Sequence, residues 1–140
     1  METKKIITLD EILMMQLEGK LNNYMDWNDL CVNYDLTEDI IERYQDKLDW
    51  YYISRYQKIT NNIIDKYDNK LDWGYISTYQ VLSESFIKEH KDKVDWNCIS
   101  MCQTLSEEFI EKYRDKLNLN YIFQYQNLSD EFKKRYWNFT

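Results

Sequence analysis

Residues 105–127 read LSEEFIEKYRDKLNLNYIFQYQN, and three preceding blocks of the same length repeat the pattern: LTEDIIERYQDKLDWYYISRYQK at 36–58, ITNNIIDKYDNKLDWGYISTYQV at 59–81 and LSESFIKEHKDKVDWNCISMCQT at 82–104. A truncated copy, LSDEFKKRYWNFT, starts at Leu128. Trp27, Trp50, Trp73 and Trp96 fall in one column with Leu119 in the next place, so a degenerate earlier copy survives around Met25, Asp26 and Trp27. Self-similarity at a fixed 23-residue period marks stacked supersecondary units, none of which buries its apolar face alone.

Each unit carries two helix starts. Thr37, Thr60, Ser83, Ser106 and Ser129 stand after an apolar residue and mostly before acids, where a side-chain oxygen accepts a free backbone N–H. Asp26, Asp49, Asp72, Asp95 and Asn118 do the same for a second segment. A first helix (A), a turn such as Gln45–Leu48 and a second helix (B) then make an αα-hairpin. In helix A the apolar set is Leu36, Ile40, Ile41 and Tyr44, and in helix B it is Trp50, Tyr52, Ile53 and Tyr56, both at helical spacing. The expectation is an all-α fold, an αα-hairpin solenoid of about five to six such units, since helices this short need neighbours to supply a core. Its organisation would be a capping helix and degenerate repeat at 1–35, four full repeats at 36–127 and a capping half-repeat at 128–140. Leu9 to Leu21 reads as the capping helix, with Asp10 as its N-cap.

The composition agrees with a repeat built from caps rather than turns. Among 140 residues there is no proline and only two glycines, while 23 are aromatic: 13 Tyr, 5 Trp and 5 Phe. Three tyrosine columns (Tyr44, Tyr67, Tyr113, Tyr136; Tyr52, Tyr75, Tyr121; Tyr56, Tyr79, Tyr125) and the tryptophans are expected inside the core. Lys47, Lys70, Lys93 and Lys116 in the turns, and Gln57, Gln80, Gln103 and Gln126 at the ends of helix B, are read as side chains that satisfy helix ends.

Several functions are disfavoured by the same residues. With 18 basic against 25 acidic residues the net charge is −7, which argues against a surface that grips phosphates, and stacked aromatics without a basic track do not make a single-strand binder. Lys4 and Lys5 are followed by Asp10 and Glu11, which interrupt the apolar start, so no signal peptide or membrane span is read and a cytoplasmic protein is expected. A single histidine, no glycine-rich phosphate loop and no nucleophile elbow give no catalytic set, and no cofactor is expected. In the third full unit His90, Cys98 and Cys102 replace tyrosines together; the reading is local repacking, with these three as the alternative ligand set for zinc.

Two outward faces remain. Helix A exposes the acids Glu38, Asp39, Glu42, Glu84, Glu107, Glu108 and Glu111, which would suit a nucleic-acid mimic blocking a binding channel. Helix B exposes Tyr51 and Arg55, Gly74 and Thr78, Asn97 and Met101, Asn120 and Gln124, nearly uncharged and different in every unit. A constant scaffold with variable outer residues is the pattern of a modular surface for a protein partner, with Tyr51 and Arg55 its strongest candidates. The ends, through Leu13, Met14, Leu17 and Trp137, allow a monomer or an end-to-end dimer.

The strings LSEEFIEKYRDKL and DWYYISRYQ resemble the short αα repeats of proteins encoded by large DNA viruses and some phages, over Leu36 to Tyr136. In the viral proteins such repeats frequently follow an F-box or other adaptor, and no F-box-like segment precedes Leu36 here. The resemblance implies a non-catalytic interaction scaffold acting in the host-cell cytoplasm, directed at a host protein that it inhibits.

Overall fold

The structure, a computed structural model, describes residues 3–137, without the side chain of Trp137. It is mostly helical, with eleven helices and two very short strands among the described residues. No helix there is long and apolar enough to cross a membrane. The chain forms two compact units, Met1–Asp72 and Trp73–Thr140.

In the first unit, strand β1 (Lys5–Ile6) precedes α1 (Leu9–Leu17), α2 (Tyr24–Asn33), strand β2 (Tyr34–Asp35), α3 (Glu38–Arg43), α4 (Trp50–Tyr56) and α5 (Asn61–Lys66). Helix α2 packs on α4. The start of the chain departs from expectation. Helix α1 is capped by Thr8 rather than Asp10, because Thr8 and Glu11 form a reciprocal capping box, and it stops at Leu17, with Gly19 at φ 70 just beyond. Helix α2 likewise begins three residues before the expected place: Asn23 is the N-cap and Asp26 closes the box from inside the first turn.

Strand β1 pairs parallel to β2 with Lys5 opposite Tyr34, which the helical period did not foretell. The pairing is anchored by a cation at helix ends. Lys4 Nζ donates to the carbonyls of Cys31 (3.1 Å) and Tyr56 (2.7 Å), in the last turns of α2 and α4, and lies 3.5 Å from Asp35. A positive charge at a helix C-terminus meets both the unpaired carbonyls and the negative end of the dipole.

In the second unit, α6 (Trp73–Tyr79), α7 (Glu84–Glu89), α8 (Trp96–Cys102), α9 (Glu107–Lys112), α10 (Leu119–Tyr125) and α11 (Asp130–Trp137) follow one another. Helix α8 packs against both α6 and α10. The predicted caps hold for both helix types: Thr37, Thr60, Ser83 and Ser106 cap the A helices, and Asp49, Asp95 and Asn118 cap B helices.

The core is aliphatic where the sequence suggested aromatic. Ile53, Ile76, Ile99 and Ile122, one from each B helix, are 0% exposed, and Leu30 takes the same column in α2. From the A helices come Ile40 and Ile41, Ile63 and Ile64, Phe86 and Ile87, Phe109 and Ile110. Tyr44 and Tyr67 are buried as expected, but the B-helix tyrosines are not core: Tyr52, Tyr56, Tyr75 and Tyr121 are half-buried, and Tyr79 and Tyr125 are exposed. Of the tryptophans, Trp27 is buried, whereas Trp50, Trp73 and Trp96 are half-buried. A helix of about 3.6 residues per turn that meets neighbours along one narrow seam buries only the residues in that seam. In α4 those are Ile53 and Ser54.

Candidate functional site

Three side-chain columns fix the B helices, and they decide what the outer face presents. The first is serine. Ser54, Ser77 and Ser100 are fully buried, and each hydroxyl oxygen accepts a backbone N–H eighteen residues on: Asp72 at 3.0 Å, and the B-helix caps Asp95 at 2.9 Å and Asn118 at 2.9 Å. Ser54 and Ser100 also donate to the carbonyls of Trp50 and Trp96, one turn back. In the last B helix this column holds Phe123, which meets Tyr136 edge-on at 6.2 Å. The column was missed in the sequence, although a serine recurring directly after the isoleucine of three B helices was its signal.

The second column is glutamine, and its role exceeds closing a helix. Gln103 Nε2 donates to the carbonyls of Ser77 (2.8 Å) and Gln80 (2.7 Å), while its Oε1 accepts from Leu82 N (2.9 Å). Gln126 makes the corresponding three bonds to Ser100, Gln103 and Leu105, and Gln57 makes them to Cys31, Tyr34 and Leu36. A primary amide suits the place because it offers two donors and an acceptor to backbone groups left over at helix ends.

The third column is a tryptophan sandwich. Each Trp lies against the aromatic residue that ends the following A helix: Trp27 on Tyr44, Trp50 on Tyr67, Trp73 on His90 and Trp96 on Tyr113, with centroids 4.9, 4.6, 5.4 and 5.6 Å apart. The turn lysines, expected at helix ends, sit over the indoles instead: Lys47 over Trp27, Lys70 over Trp50, Lys93 over Trp73 and Lys116 over Trp96, at 5.5 to 5.8 Å. The half-buried indoles of Trp50, Trp73 and Trp96 are thereby held by an aromatic contact and a cation–π contact rather than by full burial.

With the scaffold so fixed, the predicted outer residues of helix B fall as follows. Tyr51 is exposed, and Arg55 lies beside it with Nη1 3.5 Å from the phenol oxygen and its guanidinium 5.1 Å from the Tyr56 ring. Gly74 and Thr78 on α6 are half-buried, and the Thr78 hydroxyl donates to the Gly74 carbonyl at 2.8 Å. On α8 Asn97 and Met101 are exposed; Asn97 accepts from Asn118 at 3.1 Å. Asn120 and Gln124 are exposed on α10. None of α6, α8 and α10 carries a charged residue.

Several acids of the A-helix face have structural partners. Glu84 accepts from Ser106 N (2.5 Å) and Oγ (3.1 Å), Glu107 accepts from Ser129 N (2.6 Å) and Oγ (3.1 Å), and Glu38 accepts from Thr60 Oγ1. The Ser129 bonds hold the Glu107 carboxyl below its ordinary pKa. Glu42 pairs with Lys66 at 2.7 Å and Glu111 with Arg135 at 2.8 Å. Asp39 and Glu42 also line, with Ile6, Leu9 and Arg43, a cavity of about 710 Å³ between β1 and α3. Glu108 is exposed. The acid excess is uneven: the first unit has nine basic and fifteen acidic residues, a charge of −6, and the second has nine and ten, a charge of −1.

The three residues that break the tyrosine columns sit on two elements, His90 at the end of α7 and the two cysteines in α8. His90 ends α7, stacked on Phe86 at 4.0 Å and on Trp73, with Nδ1 3.0 Å from the Phe86 carbonyl. Cys98 is half-buried and Cys102 exposed on α8. Burial raises both thiols above the ordinary value; at Cys98 a hydrogen bond with Thr78 opposes the rise and the Asp95 carboxylate adds to it. No three His, Cys, Asp or Glu side chains gather to hold a metal ion among the described residues. Cys31, fully buried in the serine column, has its thiol pushed up to about 12 by burial. Alkylation of the folded protein is therefore expected to modify Cys102 first and to reach Cys31 only as the chain unfolds, which mass spectrometry of timed samples checks. Labelling of Cys31 at the rate of Cys102 would contradict this placement.

Serine, glutamine and tryptophan columns thus recur with corresponding partners, and the helices α6, α8 and α10 between them carry no charge. Neither a protein-family model, nor a curated protein, nor a solved structure matches the chain.

Proposed function

We propose that the chain is an αα-hairpin solenoid of about five to six units that binds a protein partner stoichiometrically, without catalysis, as a viral or phage inhibitor of a host defence protein in the host-cell cytoplasm. The observation that carries this reading is the contrast within α6, α8 and α10. Their inner bonds from Ser77, Ser100, Gln103 and Gln126 repeat with the same partners, while their outer pairs read Gly74 and Thr78, Asn97 and Met101, Asn120 and Gln124. Rigid spacing with changeable side chains is what specificity on a repeat surface requires. Tyr51 and Arg55 on α4 add a rigid aromatic and a guanidinium, residue types enriched where binding energy concentrates.

The test begins with affinity capture from host cells and identification of the bound protein. Tyr51→Ala/Arg55→Ala should weaken that complex by about tenfold or more, the scale of a hot-spot truncation, with an unchanged circular dichroism spectrum. Full affinity in the folded double variant would remove these residues from the interface. Binding through the acidic A-helix face instead would fall steeply with salt and with Glu107→Lys/Glu108→Lys, whereas a neutral B-helix interface responds weakly to both.

A further inference from the structure

Cys98 and Cys102 are one helical turn apart on α8, so both thiols lie on the same face of a helix that is packed on either side by α6 and α10. The positions one repeat away on those neighbours hold aromatic pairs: Tyr75 stacks on Tyr79 at 5.7 Å and Tyr121 meets Tyr125 at 6.1 Å. The two cysteines form the row between them, where shorter side chains replace two rings. Residues at this spacing on a helix have Cβ atoms about 5–6 Å apart. A disulfide needs about 3.5–4.5 Å between Cβ atoms, so the helix keeps the pair reduced with respect to each other. Two metal–sulfur bonds of about 2.3 Å each span about 4.6 Å, a sulfur separation that ordinary rotation about χ1 supplies from the same backbone.

We infer that Cys98 and Cys102 form a two-coordinate site for a soft thiophilic cation, Cu(I). Thiolates select Cu(I), whereas zinc takes four ligands in closed sites, and no group of three His, Cys, Asp or Glu side chains gathers to hold a metal ion among the described residues. Both thiols lose their protons on binding, giving a bis-thiolate complex and two released protons, with no change of oxidation state. Affinity therefore rises with pH. Exposure of Cys102 lets the ion enter and leave by ligand exchange, and the buried Cys31 takes no part.

The test titrates the reduced full-length protein anaerobically with Cu(I) against a chromogenic Cu(I) chelator. One Cu(I) per chain should be retained, with two protons released, and retention should be lost in Cys98→Ser and in Cys102→Ser separately. Cys31→Ser should retain the ion, because serine already fills that column at Ser54, Ser77 and Ser100. Circular dichroism of each variant shows that loss is not unfolding, and denaturant should abolish retention because the helix sets the spacing. Zn(II) should not be retained at the same chelator strength. Failure of the wild-type protein to hold Cu(I), or retention by either single variant, overturns the site.

Discussion

Gln103→Leu is expected to lower the unfolding free energy by about 4 kcal/mol, from the cost of about 1–3 kcal/mol for each buried polar group left without a partner. Leucine keeps most of the volume and adds apolar area, so packing alone would favour the variant. It removes the two donors held by the Ser77 and Gln80 carbonyls and the acceptor held by Leu82 N, all three bonds lying in the buried interior. Urea unfolding monitored by tryptophan fluorescence reads the result as a lower midpoint at unchanged slope. Gln103→Glu separates geometry from hydrogen bonding. The new carboxylate lacks the donors, and burial beside two carbonyls raises its folded pKa above the unfolded value. That variant is therefore more stable at low pH, where the carboxyl is protonated and donates once, and loses stability as pH rises through the folded pKa. A Gln103→Leu protein as stable as the parent would show that the glutamine column is decoration.

Ile99→Ala should cost about 4 kcal/mol, within the 2–5 kcal/mol range for a large-to-small change in a packed core. Ile99 is 0% exposed in the helix that meets both α6 and α10, so a cavity there has little room to collapse. Tyr125→Ala provides the contrast. Tyr125 is 51% exposed, and its truncation should cost less than about 1 kcal/mol, as for a surface side chain with one aromatic contact. The two variants together decide whether the core is the isoleucine seam or the tyrosine columns. Equal losses would restore the aromatic core that the sequence pattern implies.

The isoleucines were legible because each recurs at helical spacing, and the A-helix caps because serine or threonine precedes each A segment. Helix B misled for a physical reason. Trp50, Tyr52, Ile53 and Tyr56 share one broad arc, and apolarity alone does not say which part of that arc meets a neighbour. The buried Ser54 answers it: a small residue in the seam lets backbones approach, and its hydroxyl binds the Asp72 N–H. Hydropathy reads serine as outward, so the residue that marks the contact was invisible to it.

The candidate surface was partly legible. Listing what varies between units separates Tyr51, Asn97, Met101, Asn120 and Gln124 from the fixed columns, and all five are exposed. Gly74 and Thr78 are half-buried, with Thr78 turned to its own helix, which no comparison of units reveals. The acidic face changed most. Its carboxylates are equivalent as letters, yet Glu38, Glu84 and Glu107 accept hydrogen bonds from the next cap, while Glu108 is exposed.

By itself, the sequence determined the period, the alternation of two helix types and the residues that start them, because caps and apolar spacing act over a few neighbouring residues. Tertiary structure alone decided the rest. The parallel pairing of Lys5–Ile6 with Tyr34–Asp35, the lysines over indoles, the glutamine forks and the narrow isoleucine seam join residues roughly one repeat or more apart. Their partners are set by how helices pack, and packing depends on the shape of the whole seam rather than on any local preference.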